Sequence, residues 1–383
     1  MHTRVFEPRQ LTVLTTSKCT AACRHCCMNS SPERADTLSW PQLESSLTQA
    51  FAELAHLEVI IFAGGEPLLL GQDLLAAIRL CKRHGVVTRI VTNAYWATSR
   101  EHARFKLREL KEAGLDEVNI STDDYHLPWI PLDAVRHAYE EAIALEFSAV
   151  VLANCFGPET TLTPERVKRE LGAQPNLHLH LNDAGGVIEH KAHNGKTLVV
   201  LANTPVQRLG RGERELATSE LGAAHPDLDA LGEEVGGCPW AIKAAAISAR
   251  GHFVSCCGFE VEDNPILDYG DLARTPLAEL LDKADNDLAS NMIAIIGPIR
   301  IMNMLQELCP DEVSFPGNYR TYCEVCSDLV SSKQNRDALY RHMGRFAELV
   351  LDARQYLKEK YQDHGVLDYP PLKIRPTTPS DPA

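Results

Sequence analysis

The sequence lacks the long apolar segment that a membrane-spanning helix needs. No run of about 18 apolar residues occurs in it, and residues 1–4 form no apolar signal region. An excess of basic residues is also missing, since the formal net charge is −14. A protein that binds along a phosphate backbone needs a basic face. We therefore expect a cytoplasmic protein that binds neither a membrane nor nucleic acid.

The composition is that of an ordinary globular protein except for its cysteine content. With 383 residues, of which 44% are hydrophobic and 23% charged, the chain can form one large domain and a smaller one. It contains 12 cysteines. Disulfides are disfavoured in the cytosol, so clustered cysteines there more often bind metal or act in catalysis. Cys81, which stands alone in a helical pattern, is interpreted as a buried structural thiol.

The first cysteine group comes shortly after an apolar, β-prone run at residues 11–14. Cys19, Cys23 and Cys26 have the spacing C-x3-C-x2-C, which allows three thiolates of one loop to face a single metal centre. A [4Fe–4S] cluster normally takes four cysteine ligands, so three would leave one iron open for chemistry. On spacing alone, a zinc knuckle and three unrelated thiols are the alternatives.

Apolar strand and helix patterns alternate between residues 43 and 154. This alternation predicts parallel βαβ units, whose ligands bind at the carboxyl ends of the strands. The predicted strands are 58–62, 86–92, 115–121 and 148–154, and the predicted helices are 43–57, 74–84, 100–113 and 132–145. Polar motifs follow the strands, namely the cysteine loop, Gly64-Gly65-Glu66-Pro67, Thr92-Asn93, Ser121-Thr122-Asp123-Asp124 and Asn154-Cys155.

The segment Gly64-Gly65-Glu66-Pro67 is the second motif that suggests a ligand site. Its two glycines let the backbone approach a ligand closely or adopt a positive φ, and Pro67 stiffens the exit. The exposed carbonyls and amides of such a segment can bind a charged amino group. Taken alone, the pattern is also that of an ordinary turn.

The cysteine loop followed by Gly64-Gly65-Glu66-Pro67 resembles the signature of the radical S-adenosylmethionine (radical SAM) superfamily. The resemblance covers roughly residues 8–327, with one departure at His25, where the family usually has an aromatic residue. It implies an α/β fold, a partial (β/α)6 barrel. It also implies that Cys19, Cys23 and Cys26 hold a [4Fe–4S] cluster whose fourth iron binds SAM, and that Gly64, Gly65, Glu66 and Pro67 hold the SAM amino group.

Further site residues are assigned through the same resemblance. Ser121 and Asp123 are similar to residues that family members place near the SAM ribose or carboxylate, and Asn93 and Asn154 at neighbouring strand ends are predicted to bind the cofactor with them. Arg211 lies in a Gly-Arg segment similar to one after the sixth strand of the family. Arg211 is predicted to contact SAM; the alternative interpretation is that it belongs to a flexible basic turn.

Candidate catalytic residues follow Asp123 directly. Asp124, Tyr125 and His126 are predicted to face the substrate as acid, base or hydrogen-bond partner. The alternative is a capped, solvated loop before Pro128.

A second cysteine group lies in the C-terminal part of the chain. Residues 248–255 predict a hairpin with its turn at 250–251, which would bring Cys238 and Cys256 together, and Cys323 and Cys326 would complete a four-thiolate site. Such a site holds zinc or a second [4Fe–4S] cluster. The arrangement resembles the one-cluster twitch form of the SPASM/twitch extension of radical SAM enzymes. Cys257 is an alternative to Cys256, and Cys309 is spare.

These patterns divide the chain into five parts. They are a radical SAM core over 1–212, a linker over 213–234, a twitch-like auxiliary cluster module over 235–330, a C-terminal helix within 331–368 and a mobile tail over 369–383. Within the core, residues 177–181 and 197–202 predict strands with a hairpin turn at Asn194-Gly195. The Gly195-Lys196-Thr197 sequence is not a P-loop, because the upstream glycine is absent.

The resemblance implies a radical SAM oxidoreductase or maturase. Such an enzyme reductively cleaves SAM to a 5′-deoxyadenosyl radical that abstracts hydrogen from a substrate, while the protein binds, orients and excludes water. The expected partners are a small-molecule or peptide substrate and an electron donor such as flavodoxin or ferredoxin. Because the first strand begins close to the N-terminus, the sequence slightly favours a small-molecule substrate, or a peptide presented by a separate leader-binding partner. The alternative of another class is a non-catalytic iron–sulfur or zinc-binding protein.

Overall fold

The computed structural model describes residues 4–171, 178–181, 188–193 and 196–361. In the first part of the chain, strands alternate with helices. The strands are β1 Gln10–Thr16, β2 Val59–Gly64, β3 Val87–Thr92, β4 Glu117–Ser121, β5 Ala149–Phe156, β6 His178–Leu181, β7 Ile188–His193 and β8 Leu198–Pro205. The helices are α1 Trp40–Glu53, α2 Gln72–Arg83, α3 Arg100–Ala113, α4 Leu132–Ala144 and α5 Pro164–Glu170.

Six of these strands form a continuous parallel sheet. Their order is β1-β2-β3-β4-β5-β8, and β7 and β6 extend the sheet in antiparallel fashion beyond β8. The central strands carry apolar, often β-branched residues whose side chains are fully buried, such as Ile60, Phe62 and Ile90. The α/β class and the six parallel strands of the predicted partial barrel are confirmed.

Local sequence signals fix where the helices begin and end, as α3 illustrates. The Ser99 side chain accepts a hydrogen bond from the backbone N of His102 (3.2 Å) and so caps the first turn. Gly114 ends the helix with φ 107°, a conformation that glycine adopts without strain. Because the ends are fixed in this way, each helix returns the chain to the amino edge of the sheet, and the loops after the strands collect at the opposite edge.

The C-terminal part continues the same sheet. Its helices are α6 Gly212–Glu215, α7 Leu228–Val235, α8 Leu277–Asn286, α9 Leu288–Ile295, α10 Pro298–Leu308, α11 Tyr322–Ser331, α12 Lys333–His342 and α13 Ala347–Tyr361, and its strands are β9 Ala244–Ile247, β10 His252–Val254 and β11 Asp268–Asp271. Strand β9 pairs in parallel with β1, and β10 and β11 follow in antiparallel fashion, which gives an 11-stranded sheet. The predicted hairpin over 248–255 is present, with Gly251 at φ 86°.

Two predicted segments differ from the structure in detail. The predicted linker over 213–234 contains most of α6 and α7. The predicted C-terminal helix within 331–368 is divided into α12 and α13 by a 3-10 turn at Met343–Phe346, which contains the poor helix former Gly344. The predicted Asn194-Gly195 turn and the tail from residue 369 lie outside the described residues.

No single helix within the described ranges is long and apolar enough to cross a membrane. Helices α9 and α10 meet that criterion only when they are taken together across a bend of 111°.

Candidate active site and metal centres

The cysteine loop (residues 18–31) follows β1 at the carboxyl edge of the sheet. Its two ends are joined, because the backbone N of Cys19 donates to the carbonyl of Ser31 (3.0 Å). Within it, the N of Cys26 donates to the carbonyl of Cys23 (3.1 Å). All three cysteines are free thiols, Cys23 buried and the others partly exposed. Burial raises the pKa of the Cys19 thiol to about 11, so in the absence of a metal this thiol stays protonated at neutral pH.

The turn at residues 64–67 packs directly on the start of the cysteine loop. Gly64 has φ 118°, and the backbone N of Gly65 donates to the carbonyl of Thr16 (2.6 Å). A Cβ atom at Gly65 would lie 2.0 Å from the carbonyl oxygen of Lys18, so no other residue fits there without moving the backbone. The next amide, from Glu66, donates to that same carbonyl (2.9 Å). The two sequence motifs are therefore in contact.

The Glu66 side chain points away from solvent and joins β2 to the end of β3. Its buried carboxylate accepts hydrogen bonds from the Thr92 hydroxyl (2.9 and 3.0 Å) and from the backbone N of Asn93 (2.9 Å) and of Leu68 (3.1 Å). Burial raises the pKa of Glu66 to about 7, although these hydrogen bonds oppose the shift. Glu66 thus fixes the loop after β3 rather than presenting a free carboxylate to a ligand.

Asn93 connects this arrangement to the first cysteine. Its Nδ2 donates to the Thr20 hydroxyl (2.9 Å) and lies 3.5 Å from the Cys19 sulfur. The predicted cofactor residue is therefore beside a predicted cluster ligand.

The loop after β4 places Asp123 in contact with two histidines. Asp123 Oδ1 accepts from His126 Nδ1 (2.8 Å) and from the backbone N of Tyr125 and of His126 (3.0 Å each). Its Oδ2 lies 3.5 Å from His25 Nε2. Burial alone would raise the pKa of Asp123, but the neighbouring histidines and these hydrogen bonds lower it to about 2. Asp123 is thus an ionised carboxylate with its oxygens already in use.

His25 occupies the position where the family usually has an aromatic residue, and it packs as one. Its ring stacks on Tyr125 (centroids 4.6 Å apart, planes at 25°) and meets His126 edge-on at 5.2 Å. Burial lowers the pKa of His25 to about 4, despite the attraction of Asp123. The contact between His25 and Asp123 at neutral pH is consequently not an ion pair. Its buried Nδ1 has no hydrogen-bond partner among the described residues.

The remaining predicted residues of this edge have different surroundings. Asp124 accepts hydrogen bonds from the backbone N and hydroxyl of Thr161 (2.5 and 2.8 Å) and from the backbone N of Leu162 (3.0 Å), so it holds the loop after β5. Asn154 donates to Asn203 Oδ1 (3.1 Å). Its own buried Oδ1 has no partner within the described part of the chain, as a residue that contacts a bound ligand would have. Ser121 is the last residue of β4.

Arg211 is buried against the cysteine loop. Its guanidinium donates to the carbonyls of Cys23 (2.9 Å) and Ser30 (2.8 Å), and its backbone N donates to the carbonyl of Cys26 (3.0 Å). The preceding Gly210 has φ 55°, and a Cβ there would lie 2.4 Å from the carbonyl oxygen of Cys27. The structure thus places Arg211 as a support of the loop, with its donors directed to the backbone.

The four cysteines predicted to form the auxiliary site, Cys238, Cys256, Cys323 and Cys326, lie near one another. A Cβ at Gly258 would lie 3.6 Å from the Cys256 sulfur and 4.0 Å from the Cys323 sulfur, and the Gly258 N donates to Cys256 (3.3 Å). Burial, together with neighbouring thiols that include Cys238, raises the pKa of Cys323 and of Cys326 well above the usual value. Metal coordination would remove the unfavourable burial of separate thiolates.

Cys257 and Cys309, the two cysteines that sequence analysis left unassigned, have different neighbours from Cys256. The Cys257 thiol interacts with the Thr12 side chain of β1, which lowers its pKa against the dominant effect of burial. Cys309 lies instead near Glu312 and His342, with its thiol donating to the carbonyl of Leu305 (3.2 Å). Cys257 also acts on the Cys323 thiol, but more weakly than Cys256 does, so Cys256 is the better-placed member of the pair.

Sequence analysis did not find every residue that shapes this region. Glu260 contacts Asn29 of the cysteine loop and the carbonyl of Cys27, yet neither Glu260 nor Asn29 belongs to a motif. Asn29 is one of the few non-glycine residues with a positive φ (51°), and only its position directly behind the cysteines could have indicated a role.

Residues 13–145 match the family model of the radical SAM superfamily. This segment is therefore similar to the radical SAM domain, whose family members bind a [4Fe–4S] cluster and SAM, and the protein is an enzyme. Among its relatives is YydG of Bacillus subtilis (strain 168), whose name assigns it to peptide biosynthesis; it is 24% identical over 335 residues, which are 86% of this chain and 94% of YydG.

Two solved structures have the same fold. Native anSMEcpe with bound AdoMet and the Cp18Cys peptide is 13% identical, with a TM-score of 0.53 over 89% of this chain and 99% of that one. Native anSMEcpe with bound AdoMet alone is 14% identical, with a TM-score of 0.53 over 88% and 99%. At this identity the likeness concerns the fold.

Proposed function

We propose that this enzyme modifies a peptide, using SAM bound at the Cys19/Cys23/Cys26 cluster and one auxiliary [4Fe–4S] cluster at Cys238, Cys256, Cys323 and Cys326. The observation that carries the proposal is the contact between the cysteine loop and the turn at residues 64–67, which Gly65 permits at the carbonyl of Lys18. The peptide as substrate class is supported by the relation to YydG along nearly its whole length. The sequence alone left a small molecule and a peptide open.

The residues around the cysteine loop have separable tasks in this proposal. When bound, the cluster supplies the electron that splits SAM, and Cys19, Cys23 and Cys26 are its ligands. The backbone groups of Gly64 and Gly65 would hold the amino group of SAM. The buried Oδ1 of Asn154, which has no partner within the described part of the chain, would accept a hydrogen bond from the cofactor. The stacked rings of Tyr125 and His25 would shield the bound cofactor from water.

The spacing of the thiols favours a cluster over zinc at the auxiliary site. Four thiolates around one zinc ion would lie about 3.8 Å apart, the tetrahedral edge for Zn–S bonds of about 2.3 Å. No three cysteine thiols within the described ranges lie within 4.8 Å of one another. A cubane, whose ligand sulfurs surround four irons, does not require three thiols so close together.

Anaerobic reconstitution followed by dithionite and SAM tests the SAM chemistry. We expect 5′-deoxyadenosine and methionine from the wild-type enzyme and none from Cys23→Ala. If the wild-type protein retains iron but forms no 5′-deoxyadenosine, it is a non-catalytic binding protein. Iron analysis tests the auxiliary site, since two cubanes contain about eight irons per chain, against about four irons and one zinc ion for the alternative.

The substrate class needs a separate experiment. A short peptide encoded beside the gene, synthesised with deuterated side chains and Cα positions, should transfer deuterium to 5′-deoxyadenosine, as mass spectrometry would detect. The peptide assignment would be overturned if the peptide transferred no deuterium and a deuterated small molecule, made by enzymes encoded beside the gene, did.

A further inference from the structure

Glu260 connects the auxiliary cysteine segment to the SAM-binding cysteine loop. Its backbone N donates to the carbonyl of Cys27 (3.1 Å). Its carboxylate accepts from Asn29 Nδ2 (2.6 Å) through Oε2 and from Arg34 Nη2 (2.9 Å) through Oε1. One residue of the C-terminal part therefore contacts the loop at the position after Cys26 and again beyond the last cysteine.

Asn29 is the part of the loop on which these contacts converge. It has φ 51°, a left-handed conformation that asparagine tolerates better than most residues. Its backbone N donates to the carbonyl of Cys26 (3.3 Å), and its Oδ1 accepts from Arg214 Nη2 (2.8 Å). The side-chain amide is thus held by Arg214 on one atom and by Glu260 on the other. This fixes the turn that directs Cys26.

The other end of the Glu260 segment lies at the auxiliary thiols. Cys256 and Gly258 precede Glu260 in one short loop, and the Gly258 N donates to the Cys256 sulfur (3.3 Å). Tethering Cys256 to a metal centre would restrict this loop and, with it, the position of Glu260. Arg34 and Asn29 provide complementary hydrogen-bond donors for the carboxylate, so the loop contact has defined directions.

We propose that Glu260 is a positioning residue that couples the auxiliary site to the SAM-binding site. Occupancy at Cys256 holds Glu260 against Asn29, and Asn29 keeps the Cys26 turn in the geometry that SAM requires. The inference rests on the proposed function, because it takes both cysteine groups to be metal centres. It extends that function by giving the auxiliary site an effect on SAM binding that involves no electron transfer.

A double-mutant cycle on the anaerobically reconstituted full chain tests the proposal. The variants are Glu260→Ala, Cys323→Ala and their combination, with Glu260→Gln as the conservative variant. SAM affinity is measured from the change in the EPR spectrum of the reduced N-terminal cluster on SAM addition. We expect Glu260→Ala to weaken SAM binding about tenfold, because a charge-assisted pair of hydrogen bonds is lost. Glu260→Gln, which keeps one acceptor, should restore part of the affinity.

The coupling between the two sites is measured by the double variant Glu260→Ala/Cys323→Ala. Cys323→Ala should weaken SAM binding in the same direction, and adding Glu260→Ala to it should change little further, because both act through one contact. Asp263→Asn, which alters an exposed carboxylate paired with Arg250 on the same segment, is the matched control and should bind SAM as the wild type does.

Two outcomes would overturn the inference while leaving the proposed function intact. One is wild-type SAM affinity in Glu260→Ala. The other is full additivity of the two substitutions, which would mean that they act independently. A wild-type protein that neither binds nor cleaves SAM would instead refute the proposed function, so the two failures are distinguishable.

Discussion

Arg211 donates a hydrogen bond from Nη1 to the carbonyl of Cys23, a residue 188 positions earlier in the chain, at 2.9 Å. The same guanidinium reaches the carbonyl of Ser30 at 2.8 Å. A planar fork of donors can satisfy two carbonyls at once, which a lysine ammonium cannot do with the same geometry. The loop that carries the predicted cluster ligands is therefore shaped by a residue outside the segment that matches the family model.

Arg211→Met should weaken the cysteine loop markedly, because it removes two charge-assisted hydrogen bonds, to the carbonyls of Cys23 and Ser30. We expect a loss of about 2–4 kcal/mol in the free energy of unfolding and faster loss of iron to a chelator. Urea unfolding and the rate of iron release measure the two effects. Arg211→Lys should be intermediate. Unchanged iron release in Arg211→Met would contradict a role for this residue in supporting the loop.

Glu66 predicts a pH dependence of stability in the metal-free protein. Burial raises its pKa from 4.5 to about 7, so the folded state binds this proton more tightly than the unfolded state does. The contribution of Glu66 to stability is therefore present below pH 4.5 and is lost as the pH rises to about 7. Glu66→Gln removes this titration.

Between pH 5 and pH 8, the free energy of unfolding of Glu66→Gln should increase relative to the wild type by about 3 kcal/mol. Urea denaturation at a series of pH values is the measurement. Glu44→Gln, which changes an exposed carboxylate of α1, should follow the wild-type profile. Parallel profiles for Glu66→Gln and the wild type would show that the Glu66 carboxyl keeps an ordinary pKa.

The two adjacent cysteines at the auxiliary site should differ in effect. Cys256 shares the neighbourhood of Gly258 with Cys323, whereas Cys257 interacts with Thr12. Cys256→Ser is expected to reduce the iron content from about eight to about four per chain, and Cys257→Ser to leave it near eight. Iron and sulfide analysis distinguishes the two assignments, and Cys309→Ser is the control variant. The reverse pattern would exchange the two assignments.

Asp124 offers a test between a catalytic and a structural role. Its carboxylate accepts three hydrogen bonds from Thr161 and Leu162. Asp124→Asn removes the negative charge that strengthens these hydrogen bonds, and we expect a loss of about 1–3 kcal/mol of stability with little change in the yield of 5′-deoxyadenosine per folded molecule. Asp133→Asn, on an exposed carboxylate paired with Arg136, is the control. Loss of product at unchanged stability would favour catalysis.

The parallel core was predictable because its determinants are local. Runs such as Val59-Ile60-Ile61 specify buried strands, and Gly114 stops a helix by its own conformational freedom. The predicted strand at 86–92 and the observed β3 differ by one residue at the start. The motif glycines were recognisable for the same reason, since a close approach of two backbones tolerates only glycine.

The support of the site was not predictable, because it depends on contacts between distant segments. Nothing near Glu260 or Arg211 in the sequence identifies the carbonyls that they bind. The stacking of His25 on Tyr125 likewise depends on how two loops meet at the sheet edge. The parallel pairing of β9 with β1 was unpredictable for the same reason, since neither strand carries a signal that specifies its neighbour.

That last pairing has a consequence for synthesis. During translation, the Gln10–Thr16 segment leaves the ribosome long before Ala244–Ile247 exists, so one side of the growing sheet has backbone amides and carbonyls with no neighbour to bind. A nascent chain at this stage has an open border that attracts chaperones or other unfinished chains. Protein released before the C-terminal part is made should therefore aggregate.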